Sequence, residues 1–350
     1  MVNGCWDLLH TGHYNALRQA KEISPPNSVL IAGVHSNSEI KRVKGGAFVS
    51  SDAEKVAMLR SCKFVDEVLE NIPYTRMTPQ LLDKLGVDYA AHGDDMPILP
   101  DGTKMYGQVE EAGRYLVFQR SEGISTTNLL NRLLHATTNE TSYELPKNNL
   151  NNFILTSQRM ALFSNISQRR IENAKKIVYI DGDFDFFHLG HVEILRQARS
   201  MGDFLVVGLH GDHDAQSYKE HAKSLPVIMT VGERALNVLS CKYVDDVILN
   251  SPVSPSRDFL GALGVAKVVV VGNHPDFLGD ASRFNSVKEY DLVENLKVDP
   301  QTFSTQVLLS RFSQGREEFL RRNQVKKDPV IIPKFNPLGP LVTQQLAGNI

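Results

Sequence analysis

The chain has 350 residues, which is long for one domain and comfortable for two. Its formal charge of −2 gives no electrostatic case for nucleic acid as a partner, and its three scattered cysteines are too few for a disulfide framework or a zinc site. No run of about 18 apolar residues is present and the N-terminus lacks a signal-peptide layout, so we expect a cytoplasmic protein without a transmembrane segment.

Taken in chain order, the sequence repeats itself. The stretch LLHTGHYNALRQAK (8–21) returns as FFHLGHVEILRQAR (186–199), and LRSCKFVDEVLENIP (59–73) returns as LSCKYVDDVILNSP (239–252). Three more stretches return in the same order at a spacing of about 175–179 residues: IAGVHSNSEI as VVGLHGDHDA, LGVDYAAHG as LGVAKVVVVG, and ISTTNLLNR as FSTQVLLSR. Ordered matches of this kind indicate a duplicated domain.

Each copy alternates strand and helix patterns. In the second copy, the apolar runs KIVYID, DFLVVGLH, DDVIL and AKVVVVG alternate with the helical patterns HVEILRQARSM, TVGERALNVLSC and SRDFLGALG. Strands this rich in β-branched residues indicate a parallel sheet that is buried on both faces. We therefore predict an α/β fold with two tandem Rossmann-like domains, each a parallel sheet with helices on both faces. Ligands bind such sheets at the carboxyl ends of the strands.

The predicted domain boundaries follow composition. We predict a first domain at 1–135, a linker at 136–172, a second domain at 173–325 and a C-terminal tail at 326–350. Within the linker, FILTSQRMALFS is compatible with a short packed helix. The first strand of the first copy is expected to be short, because Met1 stands where the second copy is already in its strand. This would fit a chain trimmed at its N-terminus.

Chemistry is expected at the two-histidine turn. HTGH (10–13) follows a strand and opens a helix, so free backbone N–H groups and the helix dipole favour an anion there. Two imidazoles beside such groups suit a polyphosphate and can stabilise charge that develops on a phosphoryl group. A metal pair or a structural turn is the alternative interpretation, although the sequence offers no obvious third metal ligand.

These residues also carry a family resemblance. GCWDLLHTGH and GDFDFFHLGH resemble the HxGH signature of the nucleotidyltransferase superfamily, and RSEGISTT (120–127) resembles the second signature of its cytidylyltransferases. Two such domains in tandem are similar to the CTP:phosphoethanolamine cytidylyltransferases. The resemblance implies transfer of a cytidylyl group from CTP to phosphoethanolamine, giving CDP-ethanolamine and pyrophosphate in phosphatidylethanolamine biosynthesis, with Mg²⁺ as cofactor. It also implies peripheral association with the endoplasmic reticulum and allows a homodimer.

The resemblance assigns roles to residues of the first copy. Transition-state stabilisation falls to His10, His13, Lys44 and Arg120. Nucleotide binding falls to Asp7, His92, Gly93, Asp94, Ser125, Thr126 and Thr127. Substrate binding falls to Tyr74, Asp95 and Tyr106, since carboxylates or aromatic faces hold an ammonium group. A solvated loop lysine is the alternative for Lys44, and helix capping is the alternative for the three hydroxyls. No residue is assigned as a metal ligand.

The second copy keeps part of this set. Its equivalents of Asp7, His10, His13 and Lys44 are Asp185, His188, His191 and Lys223. Arg120, however, stands opposite Asp299, which reverses the charge beside a triphosphate site. We therefore expect the first copy to hold the working site and the second domain to be degenerate.

Two other functions stay open. One is a cytidylyltransferase that acts on phosphocholine, although no long basic amphipathic helix of the membrane-regulated kind follows the first copy. The other is a non-catalytic nucleotide-binding scaffold. The eroded second copy, the short first strand and Asn128, which replaces an aspartate of the family pattern, would fit a scaffold.

Overall fold

The structure is a computed structural model, and it describes residues 1–44, 47–99, 101–121, 123–138, 153–164, 174–221, 226–277, 281–288, 292–299 and 302–326. Two five-stranded sheets form its centre, and every strand pair in both is parallel. The predicted α/β fold with two tandem domains is therefore confirmed. The predicted tail lies almost entirely outside the described residues.

The first domain alternates strands and helices in this order: β1 (Val2–Gly4), α1 (Thr11–Ile23), β2 (Ile31–Val34), α2 (Asn37–Lys44), α3 (Asp52–Arg60), β3 (Glu67–Leu69), α4 (Pro79–Lys84), β4 (Ala90–Gly93), α5 (Gly107–Glu111), β5 (Tyr115–Phe118) and α6 (Thr126–Thr138). The strand order in the sheet is β3-β2-β1-β4-β5. The chain reverses its direction of travel across the sheet between β1 and β4. The carboxyl ends of these two strands therefore form the crevice in which such sheets bind ligands.

After α7 (Phe153–Ser164), the second domain repeats the pattern with β6 (Ile177–Gly182), α8 (Leu189–Arg199), β7 (Phe204–Leu209), α9 (Asp212–His221), α10 (Val231–Leu239), β8 (Asp246–Leu249), α11 (Arg257–Ala262), β9 (Val265–Val271), a 3₁₀ turn (Ala281–Phe284), α12 (Asn285–Lys288), β10 (Val293–Leu296), α13 (Thr305–Gln314) and α14 (Arg316–Lys326). Its strand order, β10-β9-β6-β7-β8, is the same arrangement. The corresponding crevice lies between β6 and β9.

The first strand differs most between the two sheets. β1 has three residues, whereas β6 has six and is buried along its whole length. Val2 pairs with Ala32 on one side and with Ala91 on the other, so β1 still joins the two halves of its sheet. The short first strand expected from the sequence is present. Because β1 lies between β2 and β4, its carboxyl end still leads into the histidine turn at the centre of the sheet edge.

The two domains pack face to face around a pseudo-two-fold axis. Cys62 and its equivalent Cys241 form an antiparallel bridge at the contact, with a backbone hydrogen bond of 2.8 Å on each side. One continuous apolar cluster contains buried side chains from both sheets. Burial of apolar surface across this contact makes the second domain part of the structural support of the first.

α7 spans the linker stretch that was compatible with a short helix. Its Phe163 packs edge-on against Phe64 at 5.5 Å, and the Arg18 guanidinium lies 6.0 Å from the centre of the same ring. Part of the predicted linker is therefore packed against the first domain. Among the described residues, no helix combines the length and the apolar character that crossing a membrane requires.

Candidate active site

The first histidine turn connects β1 to α1. His10 is the N-cap of α1, and its Nδ1 accepts a hydrogen bond from the N–H of Gly12 at 3.1 Å. Because Nδ1 is an acceptor, Nε2 carries the ring proton and is a hydrogen-bond donor. The ring of His13 lies 4.0 Å from that of His10. Both imidazoles therefore lie at the carboxyl end of β1, as the sequence predicted.

The backbone of this turn is strained. Trp6 and Leu8 have left-handed φ angles of 53° and 47°, and their second-copy equivalents Phe184 and Phe186 have φ angles of 52° and 46°. Bulky residues in this region cost about 1–3 kcal/mol each, so the surrounding structure must impose the conformation. Trp6 is held by a hydrogen bond of 2.8 Å from its Nε1 to the Gly33 carbonyl. The strain is a property of the histidine turn in both domains.

Asp7 binds the protein's own backbone. Its side chain is buried, and its Oδ1 accepts hydrogen bonds from the N–H groups of Val49 at 3.2 Å and Ser50 at 2.8 Å. Asp185 does the same in the second domain, where it accepts from Ile228 and Met229. The structure thus places this nucleotide-binding candidate between the histidine turn and the loop before α3, where it fixes the loop.

The start of α6 approaches the same turn. Ser125 Oγ accepts a hydrogen bond from the N–H of Asn128 at 3.1 Å, and Thr126 Oγ1 donates to the Asp7 carbonyl at 3.0 Å. Thr127 is buried. Two of the three hydroxyls are therefore engaged in capping and in joining α6 to the turn, which was the alternative interpretation of these residues. The free backbone N–H groups at this helix start still favour an anion.

Arg120 lies beside the carboxyl end of β4. Its backbone N–H donates to Asp94 at 3.0 Å, and its guanidinium forms an ion pair with Asp95. His92 Nδ1 lies 3.1 Å from the Gly93 carbonyl oxygen and 3.9 Å from Asp95. More than half of the Arg120 side chain is exposed, at 59%, so the guanidinium can exchange its carboxylate for a phosphate. These four polar side chains form one cluster on the β4 side of the crevice.

Electrostatics keep both histidines of the first turn neutral. Burial, followed by the charges of neighbouring groups that include Arg120, lowers the pKa of His10 well below its ordinary value. Burial and then Arg120 lower the pKa of His13 to about 4. Asn15 on α1 donates a hydrogen bond to Ser121 Oγ at 2.8 Å, so the segment that contains Arg120 lies against the helix that the histidine turn begins. At neutral pH the imidazoles are uncharged N–H donors, and Arg120 supplies the positive charge.

The aromatic candidates lie behind this cluster. Tyr106 is 2% exposed, with its ring 5.2 Å from His92 and stacked on Tyr115 at 5.3 Å. Burial raises the pKa of Tyr106 far above its ordinary value. Tyr74 packs on the same small core and approaches the ring of His35 at 5.0 Å. Tyr106 has no open face for an ammonium group, so its position favours support of His92 over direct contact with a substrate.

The side chains of the two lysine candidates, Lys44 and Lys223, lie outside the described part of the structure. Lys44 ends α2 rather than lying in a loop, and its side chain is outside the described part. Lys223 lies outside the described residues altogether. Counted from the preceding strand, Lys219 on α9 occupies the place of Lys44. Lys219 Nζ lies 3.3 Å from Asp183 and 3.7 Å from Asp185, so a lysine from this helix does reach the histidine turn in the second domain.

Sequence reasoning missed one basic residue near the site. Lys55 on α3 is fully buried and donates to Asn37 Oδ1 and, at 3.2 Å, to Asp52. Its second-copy equivalent, Arg234, is also fully buried and donates to carbonyl groups around the second turn. The signal was available, because the internal repeat aligns two basic residues on otherwise apolar helix faces.

The second histidine turn keeps the geometry of the first. His188 is the N-cap of α8, and its Nδ1 accepts from the N–H of Gly190 at 3.1 Å. The ring of His191 lies 3.9 Å from that of His188 and is stacked on it. The differences between the copies therefore lie in what surrounds the turns.

Comparison with known proteins agrees with this duplicated architecture. A family model described as cytidylyltransferase-like matches residues 1–132 and 179–321, one segment in each domain. The ethanolamine-phosphate cytidylyltransferase of Dictyostelium discoideum is 35% identical and aligns over 93% of both chains. That of Arabidopsis thaliana is 34% identical over 93% of this chain and 82% of its own.

A relative with a different named substrate aligns over only part of this chain. Choline-phosphate cytidylyltransferase A of Rattus norvegicus is 39% identical over 38% of this chain and 35% of its own length. The two matched segments of the family model, the two parallel sheets and the two histidine turns agree with one another. The chain belongs to the cytidylyltransferase-like family and carries the family's domain twice.

Proposed function

We propose that this chain is an ethanolamine-phosphate cytidylyltransferase whose working site lies in the first domain. The observation that carries the proposal is the joint site at the β1–β4 crevice: two neutral imidazoles, the Arg120 guanidinium and the start of α6. The relatives that align over 93% of this chain act, by name, on ethanolamine phosphate.

The geometry suits a direct transfer. A phosphate oxygen of phosphoethanolamine attacks the α-phosphorus of CTP and forms the new P–O bond. The bond from the α-phosphorus to the bridging oxygen breaks, and its electron pair leaves with pyrophosphate. His10 donates Nε2–H to the phosphates, Arg120 neutralises the charge on the departing group, and the N–H groups at the start of α6 hold it. His10 and His13 act as fixed donors, because a neutral ring of lowered pKa is a poor general acid.

We propose that Mg²⁺ enters as the complex with CTP. Within the described residues, the first site has no group of three side chains whose ligand atoms converge on a cation position. Asp94 and Asp95 already accept hydrogen bonds from Arg120. A magnesium ion coordinated by nucleotide phosphates and water needs few protein ligands, which fits this arrangement.

The acceptor is proposed to bind on the β4 side of the crevice. Asp95 and Tyr74 are the candidates for contact with the ammonium group, since Asp95 is partly exposed and Tyr74 is half-buried. Binding of CTP would draw Arg120 towards the phosphates and release Asp95 for the amine. This exchange couples the two substrates through one ion pair.

The direct test is product formation from labelled CTP with phosphoethanolamine, phosphocholine or glycerol 3-phosphate as acceptor. We expect CDP-ethanolamine as the main product, and loss of it in His10→Ala. His135→Ala is the matched control, because His135 lies in the last turn of α6, away from the crevice. A preference for phosphocholine would contradict the acceptor assignment. Failure to form product with any acceptor would favour the non-catalytic scaffold.

We further propose a cytosolic location with peripheral association at the endoplasmic reticulum, and a homodimer. The family resemblance supports these proposals. A homodimer would use a surface other than the pseudo-two-fold contact, which is already buried within one chain. Membrane fractionation and sedimentation of the purified protein test both points.

A further inference from the structure

The second histidine turn already has an anion beside it. Asp276 Oδ2 lies 3.0 Å from His188 Nε2 and accepts a hydrogen bond of 2.9 Å from the N–H of Thr305, the first residue of α13. The Asp276 side chain is 9% exposed. Burial opposes ionisation of this carboxyl, yet its hydrogen bonds with His188 and with the backbone N–H of Thr305 hold its pKa below the usual range. One carboxylate oxygen thus occupies the point where the imidazole and the helix start converge.

The hydrogen bonds identify this place as an anion site rather than a metal site. His188, His191 and Asp276 are close enough to surround a cation. However, the Nδ1 atoms of both rings accept backbone hydrogen bonds, from Gly190 to His188 at 3.1 Å and from His188 to His191 at 3.4 Å. Both Nε2 atoms therefore carry protons and have no lone pair for a metal.

One hydrogen-bond donor of this site has no acceptor. His191 is fully buried, and its Nε2 has no hydrogen-bond partner. A buried N–H without a partner costs about 1–3 kcal/mol, so it points to a ligand larger than one carboxylate oxygen. A phosphate group offers several oxygens and would satisfy the donors of both histidines and of α13 together.

The first domain has no carboxylate at the equivalent position of its sequence. Asp276 is the fourth residue after Gly272, and the fourth residue after the equivalent Gly93 is Pro97. The backbone is also closer around the second turn: a Cβ on Gly190 would lie 1.7 Å from the Phe303 carbonyl oxygen, whereas a Cβ on Gly12 meets no atom nearer than 3.0 Å.

Two other cationic side chains of the second site also form ion pairs with carboxylates, and the first domain has no acidic residue at the equivalent positions of those carboxylates. Arg283 binds Asp181 with two hydrogen bonds of 3.0 and 3.1 Å, and Lys219 pairs with Asp183. The first-domain equivalents of Asp181 and Asp183 are Asn3 and Cys5. The second crevice is therefore neutralised by side chains of its own domain.

We propose that Asp276 is a built-in anion that fills the phosphate site of the second domain, and that this site binds phosphate once the carboxylate is removed. The proposal rests on the second histidine turn and does not depend on which acceptor the first domain uses.

The test is thermal unfolding of the full chain with and without inorganic phosphate. In phosphate-free buffer, Asp276→Ala should melt below the parent protein, because the Nε2–H of His188 and the backbone N–H of Thr305 both lose their anion. Added phosphate should then raise the melting temperature of the variant, and the increase in degrees should be at least about three times the increase seen for the parent. Phosphate bound at the first site is common to both proteins, so the difference reports the second site. Asp276→Asn fills the same volume and keeps an acceptor for Thr305, so it should respond like the parent.

A folded Asp276→Ala protein that phosphate stabilises no more than the parent would overturn the proposal. A measurement on the unaltered protein covers the case in which the variant does not fold. Nitrogen NMR of the imidazoles should find both His188 and His191 with the proton on Nε2. A proton on Nδ1 of either ring, or uptake of added Zn²⁺ at this turn, would equally overturn it.

Discussion

Replacement of Arg132 by methionine should lower the melting temperature of the protein more than the same replacement at Arg311. The two arginines are equivalent by the pseudo-two-fold axis: Arg132 reaches across the domain contact to Glu233 with bonds of 2.8 and 3.0 Å, and Arg311 reaches back to Glu54 with bonds of 2.6 and 2.9 Å. Both acceptor glutamates close the capping box of a helix. The pairs therefore match in chemistry and differ in burial.

Burial sets the expected magnitudes. In the first pair, the exposed fraction of the side chain is 12% for Arg132 and 2% for Glu233. In the second pair, it is 34% for Arg311 and 16% for Glu54. Removal of one partner from a buried pair costs about 3–5 kcal/mol, because a charge stays behind without compensation. A partly exposed pair costs nearer about 1 kcal/mol, since water reaches the remaining charge. The difference of at least about 2 kcal/mol corresponds to about 3 °C in melting temperature, because the two domains share one apolar core and unfold as a large unit.

The assay is thermal unfolding of the two variants side by side, together with their kcat/KM for CTP. Since Arg132 lies on α6, whose start approaches the first histidine turn, its loss should also lower kcat/KM more than the loss of Arg311. Equal melting temperatures, or a lower one for Arg311→Met, would refute the assignment of these energies to burial.

Four further outcomes follow from the site and the contact. Burial lowers the pKa of His13 to about 4, so NMR of the unliganded protein should find this imidazole neutral down to about pH 5.5, and a titration of the ring near pH 6.5 would contradict this. Between about pH 6.5 and about pH 4, His13 binds a proton in the unfolded chain but not in the folded protein. The free energy of unfolding should therefore fall as the pH drops through this range, by at most about 3 kcal/mol. Arg120→Ala should lower kcat/KM about 10-fold to 100-fold, with partial recovery in Arg120→Lys, because the lost hydrogen bonds are charge-assisted. Burial raises the pKa of Cys62 to about 12 and of Cys241 to about 11, so a thiol reagent should label Cys5 alone in the native protein; labelling of all three would show that the contact opens.

Periodicity and the internal repeat were sufficient to predict the fold. Continuous β-branched runs such as those of β6 and β9 indicate buried parallel strands, and the repeat transfers them to the first domain, where β1 is weak. The position of the histidine turns follows from the same pattern, since a turn after the first strand of such a sheet lies at its carboxyl edge.

The contacts that define the two sites could not be predicted in this way. Asp7 resembles a nucleotide ligand in the sequence, but its partners are backbone N–H groups 42 and 43 residues away. The left-handed backbone of Trp6 is imposed by tertiary structure against the preference of a bulky residue. Asp276 has no counterpart in the first copy, so the internal repeat does not predict its role, and a hydrogen bond across 88 residues makes it part of the second histidine turn.

The central claim is that the first histidine turn does the chemistry and the second does not. The measurement that tests it most directly is CDP-ethanolamine formation by His10→Ala and His188→Ala, each compared with the unaltered chain. The two substitutions remove equivalent N-cap imidazoles, and because His188 also contacts the buried carboxylate of Asp276, folding of His188→Ala is verified before its turnover is compared. We predict that His10→Ala loses about 100-fold or more in kcat, as expected for a preorganised donor, while folded His188→Ala keeps kcat within about threefold. Loss of turnover in His188→Ala with turnover intact in His10→Ala would contradict the account.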